Sequence, residues 1–552
     1  MKILVFTTDI PPLPGLPTSG TALRTFGIAE GLRSHGHEVV LSPPSAALAG
    51  LKAKNDISSL PQLIQDHITE LESRSFDSFN QHERVADIRP DVILCGHWPA
   101  FAARVRPHQA VVVDLAGPHM LERHYQKAPD QNGALLAKLS VLASADYFIV
   151  SGPSQQSYFY SYMSRAGVED PAARTVTITM PLSPELPQRP PINLERFPRF
   201  LFGGVFLPWQ DPSAGLRQLS QTLAQRGKGS LTLIGGKHPN YDVDSASYRK
   251  LFEELNRNEL ITCKPMLPFE QFVAEMSNAD IAIDVMGWNL ERQLAMTIRS
   301  TTYLWAGLPT IYNNFADLGA LIEKYDAGWL VDPADRASLE QVFSNIYANP
   351  EQVSHKSRNA QKLAAEVFAW DKAVQPLLRL LDGSTAVRSE RTDIMIDSPE
   401  LADFALDGRK SFQQYFVCRM PGLSEISCKL ATHRRSGCKS LIARLYRYAE
   451  TSGRRLPAVN SKRELVFEEL IHSERIHDSA WISLKTQAIE NSDGATFMFE
   501  LEAAEGPGEQ PDVFPWVAKA SPYPLIGAVY GGKKIDQIGM CFRTSCSTQG
   551  LR

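Results

Sequence analysis

"KILVFTTDIPPLPGLPTSGTALRTFGIAEGLRSHGHEVVL", Lys2 to Leu41, contains the alternation that decides the fold. "KILVFTT" is a short run with apolar side chains on both faces, as a strand buried on both sides requires. A loop rich in proline and glycine follows. "TALRTFGIAEGLRSHGH" then places Leu23, Phe26, Ile28 and Leu32 on a helical stripe, and Gly36 ends it. "EVVL" begins a second strand. A strand, a crossover helix and a strand predict a parallel sheet covered by helices.

The pattern continues outward. "PDVILCG" (90–96), "AVVVDLAG" (110–117) and "ADYFIVSG" (145–152) extend the series. The proline-rich "PLSPELPQRPPINLERFPR" interrupts it and reads as a linker. A second series follows in "FLFGGVF", "SLTLIGG", "ITCKPML", "ADIAIDVMG", "LPTIYNN" and "AGWLVDP", closed by an amphipathic helix near 338–381. After "DGSTAVRSERTD" the texture changes to short alternating runs, among them "QQYFVCRM", "EISCKLATH" and "ATFMFELEA", punctuated by turn signals. The expected architecture is therefore α/β, two doubly wound Rossmann-like domains (1–185 and 198–382), followed by an all-β sandwich, jelly-roll-like, over 395–548.

A chain of 552 residues is too long for one ordinary core, and 43% hydrophobic against 21% charged residues is the balance of a globular protein. A net charge of −4 argues against a generic nucleic-acid binder. No apolar run reaches membrane-span length, and "MKILVFTTDIPPLPG" lacks the long apolar core of a signal peptide, so a cytoplasmic location is expected. The seven cysteines form no CxxC pair and read as scattered thiols rather than a zinc site.

Five segments in order carry a resemblance: the opening Lys2–Leu41, "VVVDLAGPHMLERHY", "SGPSQQSYFYSYMSRAGV", "RFLFGGVFLPWQDP" with "LTLIGGKHP", and "STTYLWAGLPTIYNN". Over roughly residues 1 to 380 the chain resembles family-4 glycosyltransferases of the GT-B fold, in particular bacterial enzymes of surface polysaccharide synthesis. The resemblance implies transfer of a sugar from a nucleotide-sugar donor to a glycan or lipid-linked acceptor, retention of anomeric configuration, and no metal or other cofactor. Peripheral contact with the inner membrane is expected, and no nucleic-acid partner. The residues after 395 loosely resemble small β-sandwich modules appended to such enzymes.

Residue by residue, the glycine loop near the phosphates matches Gly15 to Gly20, and the acidic residue at the fourth strand matches Asp114, with His119 close behind. These two are the expected catalytic groups. In the second half, Gly204 and Trp209 lie in the loop where the family carries an arginine and a lysine, but Val205 and Gln210 or Asp211 stand there. Lys237 sits at another strand end. The family's two glutamates would fall at Leu294 and Thr302, so both are missing; Glu291 is the nearest acid. Arg299 precedes Thr302 and is expected to supply the missing positive charge to the departing diphosphate, together with the helix N-terminus.

In the C-terminal part, Trp481, Trp516 and Tyr523 are candidate sugar-stacking aromatics, and the basic "THRRSGCKSLIARLYRYAETSGRR" is a candidate face for anionic lipid. The absent glutamates and cations also admit another reading, a non-catalytic glycan-binding subunit on a degenerate transferase fold.

Overall fold

The computed structural model describes residues 1–77, 80–96, 109–205, 207, 209–236, 246–382, 390–397, 399–449, 456–458, 460–506, 508, 510–518, 525–536 and 538–547. Lys237 and Tyr523 lie outside the described residues.

The first sheet contains β1 (Lys2–Phe6), β2 (Glu38–Ser42), β3 (Val92–Cys95), β4 (Ala110–Asp114), β5 (Tyr147–Val150) and β6 (Thr175–Thr177), in the order β2-β1-β3-β4-β5-β6. Every pairing is parallel. The second contains β7 (Arg199–Val205), β8 (Ser230–Gly236), β9 (Ile261–Lys264), β10 (Ile281–Asp284), β11 (Thr310–Asn313) and β12 (Gly328–Val331), in the order β12-β11-β10-β7-β8-β9, again all parallel. Ile3, Leu4, Val5 and Phe6 are fully buried, consistent with helices on both faces. In each domain the strand order reverses within the sheet, which leaves a crevice at the carboxyl ends of the central strands.

Two expectations need correction. The single closing helix is several pieces: Arg336–Ala348, Pro350–Leu363, a wide turn at Ala364–Phe368, then Trp370–Ala373 and Gln375–Asp382. Pro350 starts a new helix because it cannot donate within the preceding one. The last two pieces do not belong to the second domain. Val374, Leu377 and Leu378 pack on Ile3, Val5 and Ile28 of the first. An amphipathic pattern shows that one face will be covered but not by which domain, so the boundary at 382 is too late.

The C-terminal region is β-rich. One antiparallel sheet runs β13-β25-β15-β18, formed by β13 (Glu390–Ile396), β15 (Leu423–Ala431), β18 (Ala480–Ile489) and β25 (Phe542–Ser547), with β20 (Phe514–Pro515) on β15. The other runs β17-β16-β19-β14-β22-β23, formed by β14 (Phe412–Val417), β16 (Leu441–Tyr448), β17 (Arg463–Ile471), β19 (Thr496–Ala503), β22 (Leu525–Tyr530) and β23 (Lys533–Ile535). A small pair, β21 (Val517–Ala518) and β24 (Gly539–Met540), completes the region. Phe542 of the first sheet packs on Phe416 and Phe499 of the second, at ring distances of 5.1 and 5.8 Å.

This module is not tethered loosely. Its apolar core is continuous with that of the first domain. Arg391 of β13 donates to Asp146 Oδ2 at 2.7 Å and to the Gln109 carbonyl at 2.6 Å, and both members of this ion pair are buried. Two cations of the basic segment are also engaged: Arg444 pairs with Glu468 and Glu502, and Lys439 with Asp512. Trp481 and Trp516 are half-buried rather than exposed platforms. The thiols of Cys418 and Cys546 lie side by side, 3.9 Å apart and buried. Among the described residues no helix is long and apolar enough to cross a membrane.

Candidate functional site

A cavity of about 280 Å³ opens between the two parallel-sheet domains. The first domain contributes Thr18 to Thr21, the Ala116–Pro118 turn after β4, and Glu122. The second contributes Gly203 to Val205 at the end of β7, Gln210, and most of the stretch from Glu291 to Thr302. These are strand carboxyl ends, where ligands of open α/β sheets bind.

Two helix N-termini meet at this cavity. Helix Gly20–Ser34 begins there, with Ser19 accepting from the Ala22 N–H at 3.2 Å and donating to Asp9 Oδ2 at 2.5 Å. Helix Ile298–Trp305 begins opposite, and no side chain caps it. The two approach so closely that a Cβ on Gly20 would lie 3.2 Å from Ile298 Cδ1. The first-turn N–H groups of a helix have no intrahelical acceptors and carry a partial positive charge, so converging N-termini favour an anion between them. Before the second helix, a short helix spans Leu290–Leu294, the chain breaks at Ala295, and the second helix begins at Ile298.

Arg299 forms the floor on this side. Its Nη1 donates to Asp284 Oδ1 at 3.2 Å, and its Nη2 to the Val205 carbonyl at 2.9 Å and Gln210 Oε1 at 3.0 Å. Phe202 lies under the guanidinium, 5.0 Å from ring centre to Cζ. The Nε–H has no partner. Gly204 has a φ of +136°, and a Cβ there would come within 2.9 Å of this Nε. Only glycine lets the backbone lie flat on the guanidinium. Arg299 thus stands against Val205 and Gln210, the positions where the resemblance implies cations and the sequence has none. Tyr303, one turn on, fixes this helix to β7: its hydroxyl donates to the Gly203 carbonyl and accepts from the Gly203 N–H, both at 2.7 Å. Burial pushes its phenol far above the ordinary range.

Glu291 is buried at the cavity wall and is paired with its neighbour. Arg292 donates from Nε and Nη2 to the two Glu291 oxygens at 2.6 Å each. Arg292 also lines the cavity and was not singled out from the sequence. Two adjacent opposite charges resemble a solvated surface pair, so nothing in the sequence separates this case. Thr302 lines the cavity, with its hydroxyl donated to the Ile298 carbonyl at 2.8 Å.

Asp114 does not reach the cavity, which corrects its expected catalytic placement. It is fully buried, with Oδ2 and Oδ1 accepting from Arg24 Nε and Nη2 at 2.7 and 2.9 Å. Burial pushes its carboxyl upward, opposed by the guanidinium beside it. Arg24 Nη1 also holds the carbonyls of Ile178 and Thr179. The pair fastens the first helix to the sheet. His119 opens the helix His119–Tyr125, half-buried, with Nδ1 3.4 Å from Glu122 Oε2. It is Glu122 that lines the cavity.

Gly15 is not in the cavity wall. Its N–H donates across the cleft to Glu270 Oε1 at 2.7 Å. A second cross-domain contact joins Ser154, whose N–H and hydroxyl donate to the two Asp317 oxygens at 2.9 and 2.6 Å. Trp209 is buried beside the cavity loop, its Nε1 unpartnered and its carbonyl accepting from Asn289.

No family model and no curated protein matches the chain. Among solved structures it is similar to sucrose-phosphate synthase from Thermosynechococcus elongatus, at 16% identity and TM-score 0.48, over 69% of this chain and 98% of that one. It is similar to HepE of Anabaena in complex with UDP-glucose, at 15% identity and TM-score 0.48, over 69% and 99%. WaaG, a glycosyltransferase involved in lipopolysaccharide biosynthesis, is similar at 12% identity and TM-score 0.42, over 69% and 98%.

Proposed function

We propose that the chain is a glycosyltransferase that moves a sugar from a nucleotide-sugar donor to a glycan or lipid-linked acceptor in the synthesis of a surface polysaccharide. The observation that carries this reading is the meeting of two helix N-termini and a fixed guanidinium at one cavity between two parallel-sheet domains. A diphosphate there is held by the first-turn N–H groups of Ile298–Trp305, with the Arg299 guanidinium supplying positive charge beside the Gly203–Gly204 backbone. As the sugar–phosphate bond breaks, negative charge grows on the departing diphosphate. Preorganised N–H groups and a guanidinium lower that barrier without reorganising. Positive charge is thereby supplied by the protein in place of a metal. Among the described lining residues, Glu291 is engaged by Arg292 and Glu122 belongs to the opposite domain, so no pair of free carboxylates faces the diphosphate. Retention of anomeric configuration remains part of the proposal, as does a sandwich-like accessory role for the C-terminal module.

The test is calorimetric titration with UDP, GDP and TDP, followed by transfer from the matching nucleotide-sugars to a lipid-linked acceptor, with product anomers assigned by NMR. One nucleoside diphosphate is expected to bind and its sugar to be transferred with retention. Absence of binding by all three sinks the reading. The locked Asp114 and the missing glutamates favour the degenerate binding subunit as the second reading; glycan affinity without nucleotide affinity is its signature.

A further inference from the structure

The four charged residues among the described lining of the cavity are not equivalent. Arg292 is matched by Glu291 and Arg299 by Asp284. Among the described residues, Glu122 has no guanidinium or ammonium within ion-pair distance, and its neighbour is the His119 imidazole at 3.4 Å. Its Oε1 sits 2.9 Å from where a Cβ on Gly117 would be, against the turn that follows β4, so the carboxylate is held at the cavity wall of the first domain. Behind it lies Lys138, fully buried and without a hydrogen-bond partner. The ammonium rests on the faces of Tyr162, Phe159 and Tyr158, at 4.0, 4.4 and 5.3 Å. Burial pushes Lys138 down to about 7, and the Glu122 charge opposes that shift.

We propose that Glu122 is the carboxylate that reads the acceptor, accepting a hydrogen bond from a sugar hydroxyl, and that the acceptor presents a neutral hydroxyl-bearing sugar at the reacting end rather than a phosphate or uronate. This rests on the glycosyltransferase reading above. An ionised carboxylate accepts strongly from a hydroxyl and repels an anion at the same place. It also stands in the first domain, across the cavity from the guanidinium that holds the diphosphate, so the two substrates meet opposite charges.

The experiment uses the full chain and two synthetic lipid-linked disaccharides, one ending in a neutral hexose and one in a uronic acid. The parent is expected to prefer the neutral acceptor. Glu122→Gln is expected to raise its acceptor KM about tenfold and narrow the preference, with nucleoside diphosphate affinity unchanged as proof that the cleft is intact. Glu122→Asp is expected to recover part of the loss. An unchanged acceptor KM, or a rise in donor KM instead, overturns the proposal while leaving the glycosyltransferase reading standing. A parent that binds no nucleoside diphosphate and transfers to neither acceptor overturns both.

Discussion

Each α/β domain places a buried aspartate at the end of a central strand and pairs it with an arginine from a helix. The outcomes differ. In the first domain, Asp114 and Arg24 consume each other: every guanidinium nitrogen of Arg24 has a protein acceptor, and both side chains are essentially inaccessible. In the second, Asp284 takes one nitrogen of Arg299, a carbonyl and Gln210 take another, and Nε is left without an acceptor, buried against the Gly204 backbone at the cavity wall. The same two residue types make a fastening in one domain and a poised, oriented cation in the other. What separates them is the number of competing acceptors around the guanidinium.

The sharpest way to break this comparison is to remove each arginine in turn. Arg24→Met leaves Asp114 as an uncompensated buried charge, so the expected loss is about 3–5 kcal/mol of stability, read from denaturant midpoints. Arg299→Lys is a different experiment. Lysine keeps one charge near Asp284 but cannot also reach Val205, Gln210 and the cavity, because it lacks the planar fork. Stability should stay close to the parent, while nucleoside diphosphate affinity falls by the value of a charge-assisted hydrogen bond, about 1.5–3 kcal/mol, roughly ten- to a hundredfold. Equal stability losses in the two variants, or undiminished affinity in Arg299→Lys, would collapse the distinction.

The sequence carried the fold further than the site. Short apolar runs alternating with helical stripes give both parallel sheets, because a strand covered on both faces must be apolar throughout. The same logic located the β-rich module. The sequence singled out Gly20, Gly204, Glu291, Arg299 and Thr302, and all of them line the cavity. It failed for Asp114, because a strand-end carboxylate looks the same in sequence whether it faces a substrate or a buried arginine ninety residues away. Glu122, Arg292 and Lys138 were missed for the same reason. Their meaning depends on what tertiary packing brings beside them, and a charged residue on a helix is indistinguishable from a solvated one until that packing is known. The C-terminal helices at 370–382 were assigned to the wrong domain because amphipathicity names a face but not its partner.

Lys138 extends the comparison to a cation with no carboxylate in contact at all. Its pKa of about 7 in the folded chain lies below the value of about 10.4 for an unfolded lysine. Between those values the unfolded state binds more protons, so stability rises as pH climbs from about 7 to about 10, and the penalty is fully present below 7. Lys138→Met removes the penalty and the aromatic contacts together. The net gain expected at pH 6 is on the order of 1 kcal/mol, fading toward pH 10. Melting curves across that range check it. A gain that is flat with pH means the ammonium is not what burial is opposing.

The smallest effect belongs to the clasp between the domains. Asp317 accepts from both the backbone and the hydroxyl of Ser154, capping the helix Pro153–Arg165 from the opposite side of the cleft. Ser154→Ala deletes one of these two bonds and leaves the other. The net value of such a hydrogen bond is about 0.5–1.5 kcal/mol, and partial exposure puts this one at the low end. Neither domain core contains it, so each domain should unfold as in the parent. The loss falls on closure. Because the cavity is formed by both domains, a clasp weakened by about 0.5 kcal/mol lowers the closed fraction, and with it nucleoside diphosphate affinity by up to about twofold. Calorimetry of the variant at one temperature and pH resolves a change of that size. An unchanged affinity together with lowered thermal stability would assign the bond to the fold of one domain rather than to the approach of two.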